Sequence, residues 1–395
     1  MQSDAVIFIP GIKGTKLVET NKAEFDTIWS GIQYNFETIE DLELSSAYRG
    51  EYFDERTESL IRAGEIEALA YGEFLHDLKT DGRPLYIFNY DWRYSVGVNA
   101  KRLKEFVLYL GRKSKSVGLE FRNFDFITHS LGNAVLLGYL KAYGHSKMHR
   151  AVFVSPPFKG SIDIASAVIV GEGFFPGVKA SFRKLIRTFP GALELLPHYT
   201  EAGRFDSGVA THSFYRFSHW QSNITSGEDA GDPLPEKFKQ ALKVARTVIN
   251  DELQDLSQLP EDVRKRILVI ARHGFDTWQS MEVIRGQSGD RLRNFYDFEN
   301  GCRTNDGDGR VPHMSSCHYS DSIKTLLLDN SLFFSEYEHG FVMKDERVQK
   351  LVNRFLFRRG GRFDHSIPGG SIKEVRHLDR KVDEHNLPYW VAITR

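Results

Sequence analysis

Short runs of apolar residues recur along the chain at 5–9, 85–88, 124–127, 151–154, 267–271 and 325–328, each rich in Val, Ile, Leu or Phe and each closed by polar residues, Gly or Pro. Runs of that length without polar alternation predict strands covered on both faces, as parallel strands are. Between them the period changes. Over 96–116, Leu103, Phe106, Val107 and Leu110 fall at i, i+3, i+4 and i+7 while Lys and Arg fill the other face, which predicts an amphipathic helix. Strand alternating with helix predicts an α/β fold, a mostly parallel central sheet with helices on both faces.

The alternation lapses between 154 and 267. Residues 160–262 hold helical patterns over 182–196 and 234–256 and a polar stretch, 222–232, that predicts a loop, but no central strand. The expectation is a helical cap or lid, 160–262, inserted into a core made of 1–159 and 263–357. A last helix is expected over 346–357, after which Arg358-Arg359-Gly360-Gly361-Arg362 breaks the pattern and 358–395 forms a C-terminal tail. No internal repeat interrupts this reading.

Composition changes the picture mainly by exclusion. Lys+Arg 52 against Asp+Glu 53 gives a net charge of -1, which argues against the basic face that duplex nucleic acid or an anionic membrane surface demands, so no nucleic-acid partner is expected. Two cysteines, Cys302 and Cys317, are too few for a stapled scaffold or a Cys-rich zinc site, and no H-E-x-x-H or paired Cys-x-x-Cys occurs, so no metal is expected. Paired, the two thiols would clip a short loop around residue 308; in a cytoplasm they should stay reduced. Only Met1-Gln2-Ser3-Asp4 precedes the first apolar run, and the longest other candidate, 164–171, is far short of the ~20 apolar residues of a spanning helix. A cytoplasmic chain is the expectation, with its oligomeric state open.

The candidate chemistry begins where strand 124–127 runs into Thr128-His129-Ser130-Leu131-Gly132-Asn133 and then a helical pattern. A serine on such a turn is exposed, and the helix N-terminus beneath it favours developing negative charge. The stretch approximates G-x-S-x-G with Thr128 in place of the first Gly. Taken alone it is also an ordinary helix N-cap. A nucleophilic serine needs a base, an acid and oxyanion donors, and the order Ser, Asp, His along the chain supplies them. Asn305-Asp306-Gly307-Asp308-Gly309-Arg310-Val311-Pro312 offers the acid, Asp308 being preferred to Asp306 for its Asp-Gly-x-Val form. His339, in a loop between the last strand and the last helix, is the candidate base. His313 and His318 lie too near the acid loop, and His129 adjoins the serine and is expected to point away from it. Backbone N–H groups of Ile12, in Ile9-Pro10-Gly11-Ile12-Lys13-Gly14, and of Leu131 are the candidate oxyanion donors.

Taken together, Ile9-Pro10-Gly11 with Gly14, Tyr90-Asp91-Trp92-Arg93, His129-Ser130-Leu131-Gly132 and Gly307-Asp308-Gly309-Arg310-Val311-Pro312 resemble the lecithin:cholesterol acyltransferase-like family. Ser155-Pro156-Pro157-Phe158-Lys159-Gly160-Ser161 looks like the family's passage into the lid, and Phe189-Pro190 with Leu195-Leu196-Pro197 looks like lid pieces of bacterial members. The resemblance spans about 6 to 356. It implies an α/β-hydrolase fold and a Ser130, Asp308, His339 triad, with Ile12 and Leu131 as oxyanion donors. It also implies a lipid or acyl-ester substrate, transient membrane-surface contact through the lid, and no redox cofactor or obligatory metal. Arg310 stands where the family usually has Thr, and Thr128 where a smaller residue is common. The secreted members' disulfide set is missing, so sterol acyl transfer is not carried over.

Two other readings stay open: a short-chain carboxylesterase or amidase on the same scaffold, and a non-catalytic binding protein, which only loss of a triad member would favour. The 29 Phe residues are mostly expected in the core, with some available to an acyl groove.

Overall fold

The computed structural model describes residues 4–20, 26–30, 42–44, 61–78, 80, 82–172, 176–205, 212–226, 231–284, 296–297, 301, 303–329, 338–357, 363, 366, 372–375, 378–382 and 388–392. Seven strands form the central sheet: β1 (Ala5–Ile9), β2 (Leu85–Ile87), β3 (Phe124–His129), β4 (Met148–Val154), β5 (Ile267–Arg272), β6 (Lys324–Leu328) and β7 (Ile372–Val375). Their order is β7-β6-β5-β4-β3-β1-β2, every pairing parallel except β6 with β7. This is the mostly parallel α/β sheet that the alternating pattern predicts.

The strands read as unbroken apolar runs because both faces are covered. In β1, Ala5, Ile7 and Ile9 enter one hydrophobic core while Val6 and Phe8 enter the other, and all five are fully buried. Helices α2 (Val96–Ser116) and α3 (Leu131–Tyr143) contribute Leu103, Val107, Val135 and Leu136 to the first core. Helices α1 (Ala68–Asp77) and α4 (Glu346–Phe357) contribute Phe74, Val348, Leu351 and Phe355 to the second. Parallel registry brings Ile9 beside Thr128, and His129 beside Val154, at one edge of the sheet. In parallel sheets that carboxyl edge is where ligands bind.

Several elements differ from the sequence expectation. Instead of one helix over 182–196 there are two, Pro176–Ile186 and Pro190–Leu193, because Phe189 is extended (φ -101, ψ 96) ahead of Pro190. The 234–256 helix stops at Thr247 and continues as a π-helical turn, Val248–Glu252. Within the expected 222–232 loop, Ser222–Thr225 forms a helical turn. Residues 358–395 are not merely a tail, since Ile372–Val375 closes the sheet as its antiparallel edge, Thr325 opposite Val375. Short antiparallel strands that the apolar pattern did not announce flank the first crossover, Thr15–Glu19 pairing with both Asp26–Trp29 and Ile61–Ile66.

The chain between β4 and β5 stays attached to the core. Glu194 accepts from Val96 N–H and from the Ser95 hydroxyl, both at 2.7 Å, and so caps α2 from the inserted segment. Burial pushes its carboxyl up to about 8, against the opposing hydrogen bonds from Ser95 and Val96. Gly203–Phe205, inside the insertion, pairs in parallel with Met281–Val283 beyond it. Cys302 lies outside the described residues; Cys317 is buried, and burial raises its thiol to about 12. Among the described residues no helix is long and apolar enough to cross a membrane.

Candidate active site

Strand β3 and helix α3 meet at Ser130 without a connecting loop. The turn is tight enough to force Ser130 to φ 51 and ψ -122, a left-handed conformation that a non-glycine residue rarely adopts. Gly132 is required by the same closeness: a Cβ there would sit 2.5 Å from the carbonyl oxygens of Ile9 and Pro10. Asn133 holds the turn, its Nδ2 donating to the carbonyls of Ser130 (2.8 Å) and Val154 (3.0 Å). The Thr128 hydroxyl donates to Asn133 Oδ1 at 2.6 Å. The departure from glycine at 128 therefore has a use, because the added hydroxyl fixes which way the Asn133 amide faces.

His339 and Asp308 come to this serine from far along the chain. His339 Nε2 lies 2.8 Å from Ser130 Oγ, and its Nδ1 lies 2.7 Å from Asp308 Oδ2. All three are buried, Ser130 to 3%, Asp308 to 1% and His339 to 8% exposure. Asp308 Oδ1 accepts from the backbone N–H groups of Val311 (2.7 Å) and Arg310 (3.1 Å). Burial alone would raise its pKa, but His339 and these N–H groups outweigh it and hold the carboxyl below its ordinary value. Asp306 stays outside this chain of bonds; its carbonyl accepts from His313 N–H, and His313 Nε2 donates to the Arg272 carbonyl.

The Pro10–Gly14 turn lies against the serine, since a Cβ on Gly11 would be 2.8 Å from Ser130 Cβ. Tyr90 Oη donates to the Pro10 carbonyl at 2.8 Å, and Trp92 Nε1 donates to the Thr15 carbonyl at 3.1 Å. Asp91 and Arg93 of the same segment pair, Nη2 to Oδ2 at 2.6 Å, with Arg93 Nη1 donating to the Leu42 carbonyl. Tyr90-Asp91-Trp92-Arg93 thus ties down both ends of the turn that carries Ile12. Neither Ile12 N–H nor Leu131 N–H donates to another described residue.

His129 does not simply turn away. Gly11 N–H donates to Tyr71 Oη (3.0 Å), Tyr71 Oη lies 2.8 Å from His129 Nδ1, and His129 Nε2 lies 2.9 Å from the His339 carbonyl. A carbonyl only accepts, which assigns the proton to Nε2 and makes Tyr71 the donor to Nδ1. Burial, with His339 beside it, lowers the His129 pKa to about 3, so the ring is neutral. The network joins the Gly11 turn to the backbone of His339 through two side chains, Tyr71 being 58 residues from His129. No sequence signal marked Tyr71. Tyr71→Phe strands two buried polar groups and is expected to cost about 1–3 kcal/mol in urea unfolding; wild-type stability would show the network to be slack.

Arg310 links the acid loop to the insertion, its Nη1 lying 3.2 Å from Asp163 and 3.9 Å from Glu172. Glu172 also pairs with Lys13, and Ser161 Oγ donates to the Arg310 carbonyl. Among the described residues no group of three or more His, Cys, Asp or Glu side chains is placed to hold a metal ion.

Residues 81–230 match the family model described as Lecithin:cholesterol acyltransferase. That stretch holds Tyr90-Asp91-Trp92-Arg93 and Ser130 but ends before Asp308 and His339. A chain of a Tle4–Tli4 complex is similar with a TM-score of 0.59 at 16% identity, over 88% of this chain and 97% of that one. This likeness shows the fold. A gene product of Listeria innocua gives a TM-score of 0.34 at 12% identity, over 93% and 100% of the two chains. No curated protein matches the chain.

Proposed function

Starting from a lecithin:cholesterol acyltransferase-like chain on an α/β-hydrolase fold, we propose that the protein cleaves or transfers acyl groups of lipid esters through a covalent acyl-enzyme on Ser130. The observation that carries this is the unbroken hydrogen-bonded series from Ser130 Oγ through His339 to Asp308. The His339 ring accepts the Ser130 hydroxyl proton at Nε2 as Oγ bonds to the ester carbonyl carbon. The carbonyl oxygen becomes an oxyanion facing the Ile12 and Leu131 N–H groups. Collapse of this intermediate breaks the ester C–O bond, and the Nε2 proton passes to the departing alkoxide. Water or a second alcohol then gives its proton to Nε2 and attacks the acyl-enzyme, and release regenerates Ser130. Asp308 holds the Nδ1 proton throughout.

The lipid part of the reading draws on the family match and on the insertion, residues 160–262, as a lid. Two contacts support it: Phe189 packs edge-on to Trp92 at 5.8 Å, and Asp163 and Glu172 meet Arg310, two residues from Asp308. A chain-length series of p-nitrophenyl esters and phospholipids, with and without an alcohol acceptor, tests it. Activity should rise from acetate to longer acyl chains; preference for acetate would replace the lipid reading with the short-chain esterase.

A further inference from the structure

Away from the triad lies an open concavity of about 590 Å³, lined by Lys159, Arg216 and Arg246 among other residues. Among the described residues no Asp or Glu belongs to its lining, and neither do Ser130, Asp308 or His339. The three cations reach it from separate parts of the chain: Lys159 from the segment after β4, Arg216 from before the Phe217–His219 turn, Arg246 from the Leu234–Thr247 helix. Their convergence needs the tertiary fold. Among the described residues none of them forms an ion pair with a carboxylate. Arg216 Nη1 stands 3.2 Å from His219 Nε2, a ring that gives it no counter-charge.

Lys159 is half-buried, and its backbone N–H is already committed to Ser315 Oγ at 2.9 Å, which fixes where the side chain starts. Burial lowers the ammonium pKa, with only Asp255 acting the other way. His198, on the same wall, is lowered to about 4 by burial and then by Lys159, so at neutral pH it is an uncharged ring. Lys159 is half-buried while Arg216 and Arg246 are exposed, and three cations that line one concavity without an ion pair to a described carboxylate offer charge that an anionic ligand would neutralise. The wall also contains Pro197 and Phe214. A cavity of this size is in the range of sites that hold a small organic molecule, and far exceeds one phosphate group.

We propose that this cavity is a binding site for an organic phosphate, its phosphate group held by Lys159, Arg216 and Arg246 and its carbon portion lying against Pro197 and Phe214. The phosphate can come from a soluble ester or from a headgroup in a lipid surface. The inference is independent of the acyl chemistry, because no group of the proposed triad takes part.

Titrating the full chain with glycerol 3-phosphate, followed by calorimetry, tests the site, and sedimentation with phosphatidic acid vesicles against phosphatidylcholine vesicles separates the two sources. Expected is saturable glycerol phosphate binding that weakens as salt rises. Lys159→Met with Arg246→Met should weaken it about tenfold or more, whereas Ser130→Ala should bind like wild type. Arg246→Gln alone, at an exposed helix position, serves where the double variant does not fold and should weaken binding in the same direction. Binding of glycerol phosphate with no vesicle preference assigns the soluble source; preference for phosphatidic acid adds the headgroup. No binding of either probe overturns the proposal, and so does unchanged affinity in folded variants.

Discussion

Ser130→Ala is expected to lower turnover about 10³-fold or more and to abolish covalent labelling by a fluorophosphonate. The hydroxyl is the only part removed, and it is the partner of His339 Nε2 at 2.8 Å. Stability should change little, because the strained backbone at φ 51 keeps its Cβ and the Asn133 contacts go to the Ser130 carbonyl rather than to the hydroxyl. What remains is binding and the N–H groups that face the ester carbonyl oxygen. Peptide mapping of the labelled wild-type protein should place the phosphonate on Ser130. Attachment to another serine, or turnover preserved in the variant, would remove the acyl-enzyme from the reading.

Asp308→Asn should be nearly as damaging, with a fall in kcat of about 10³–10⁴-fold. Its geometry gives a specific reason. Val311 N–H and Arg310 N–H both donate to Oδ1, and an amide must keep its oxygen there to satisfy them. The amide NH2 then faces His339 Nδ1, which must accept instead of donate. The proton moves to Nε2, where it meets the Ser130 hydroxyl, and the ring can no longer act as base. Asp306→Asn should stay close to wild type, since the Asp306 carboxylate takes no part in the bonds to His339. Equal loss in the two variants, measured alongside melting temperature, would mean that the acid loop and not one carboxylate is needed.

Much of the fold was legible because burial on both faces leaves a plain mark. Ala5–Ile9 is apolar at every position because every position is buried. Ile372–Val375 leaves no such mark: only Val375 of its four residues is buried, as befits an edge strand with one partner. Thr15–Glu19, as long as Ala5–Ile9, is too mixed to announce itself, since only Thr15 and Leu17 are buried. The break at Pro190 was available in the sequence, for proline disfavours helix in the residue before it, yet the apolar period over 182–196 hid it.

The order of Ser130, Asp308 and His339 along the chain, and the strand-to-helix setting of the serine, are properties of the sequence by itself. They follow from local pattern and residue type. That His339 lies within hydrogen-bond reach of both partners, 209 residues from one and 31 from the other, belongs to the tertiary structure. So does the work of Tyr90 and Trp92 on the turn that carries Ile12, and the bond from Tyr71 to His129. Hydrogen bonds of this kind depend on tenths of an ångström between elements that never meet in sequence. Periodicity reports which face of an element is buried, but not which buried side chain on a different element it will touch.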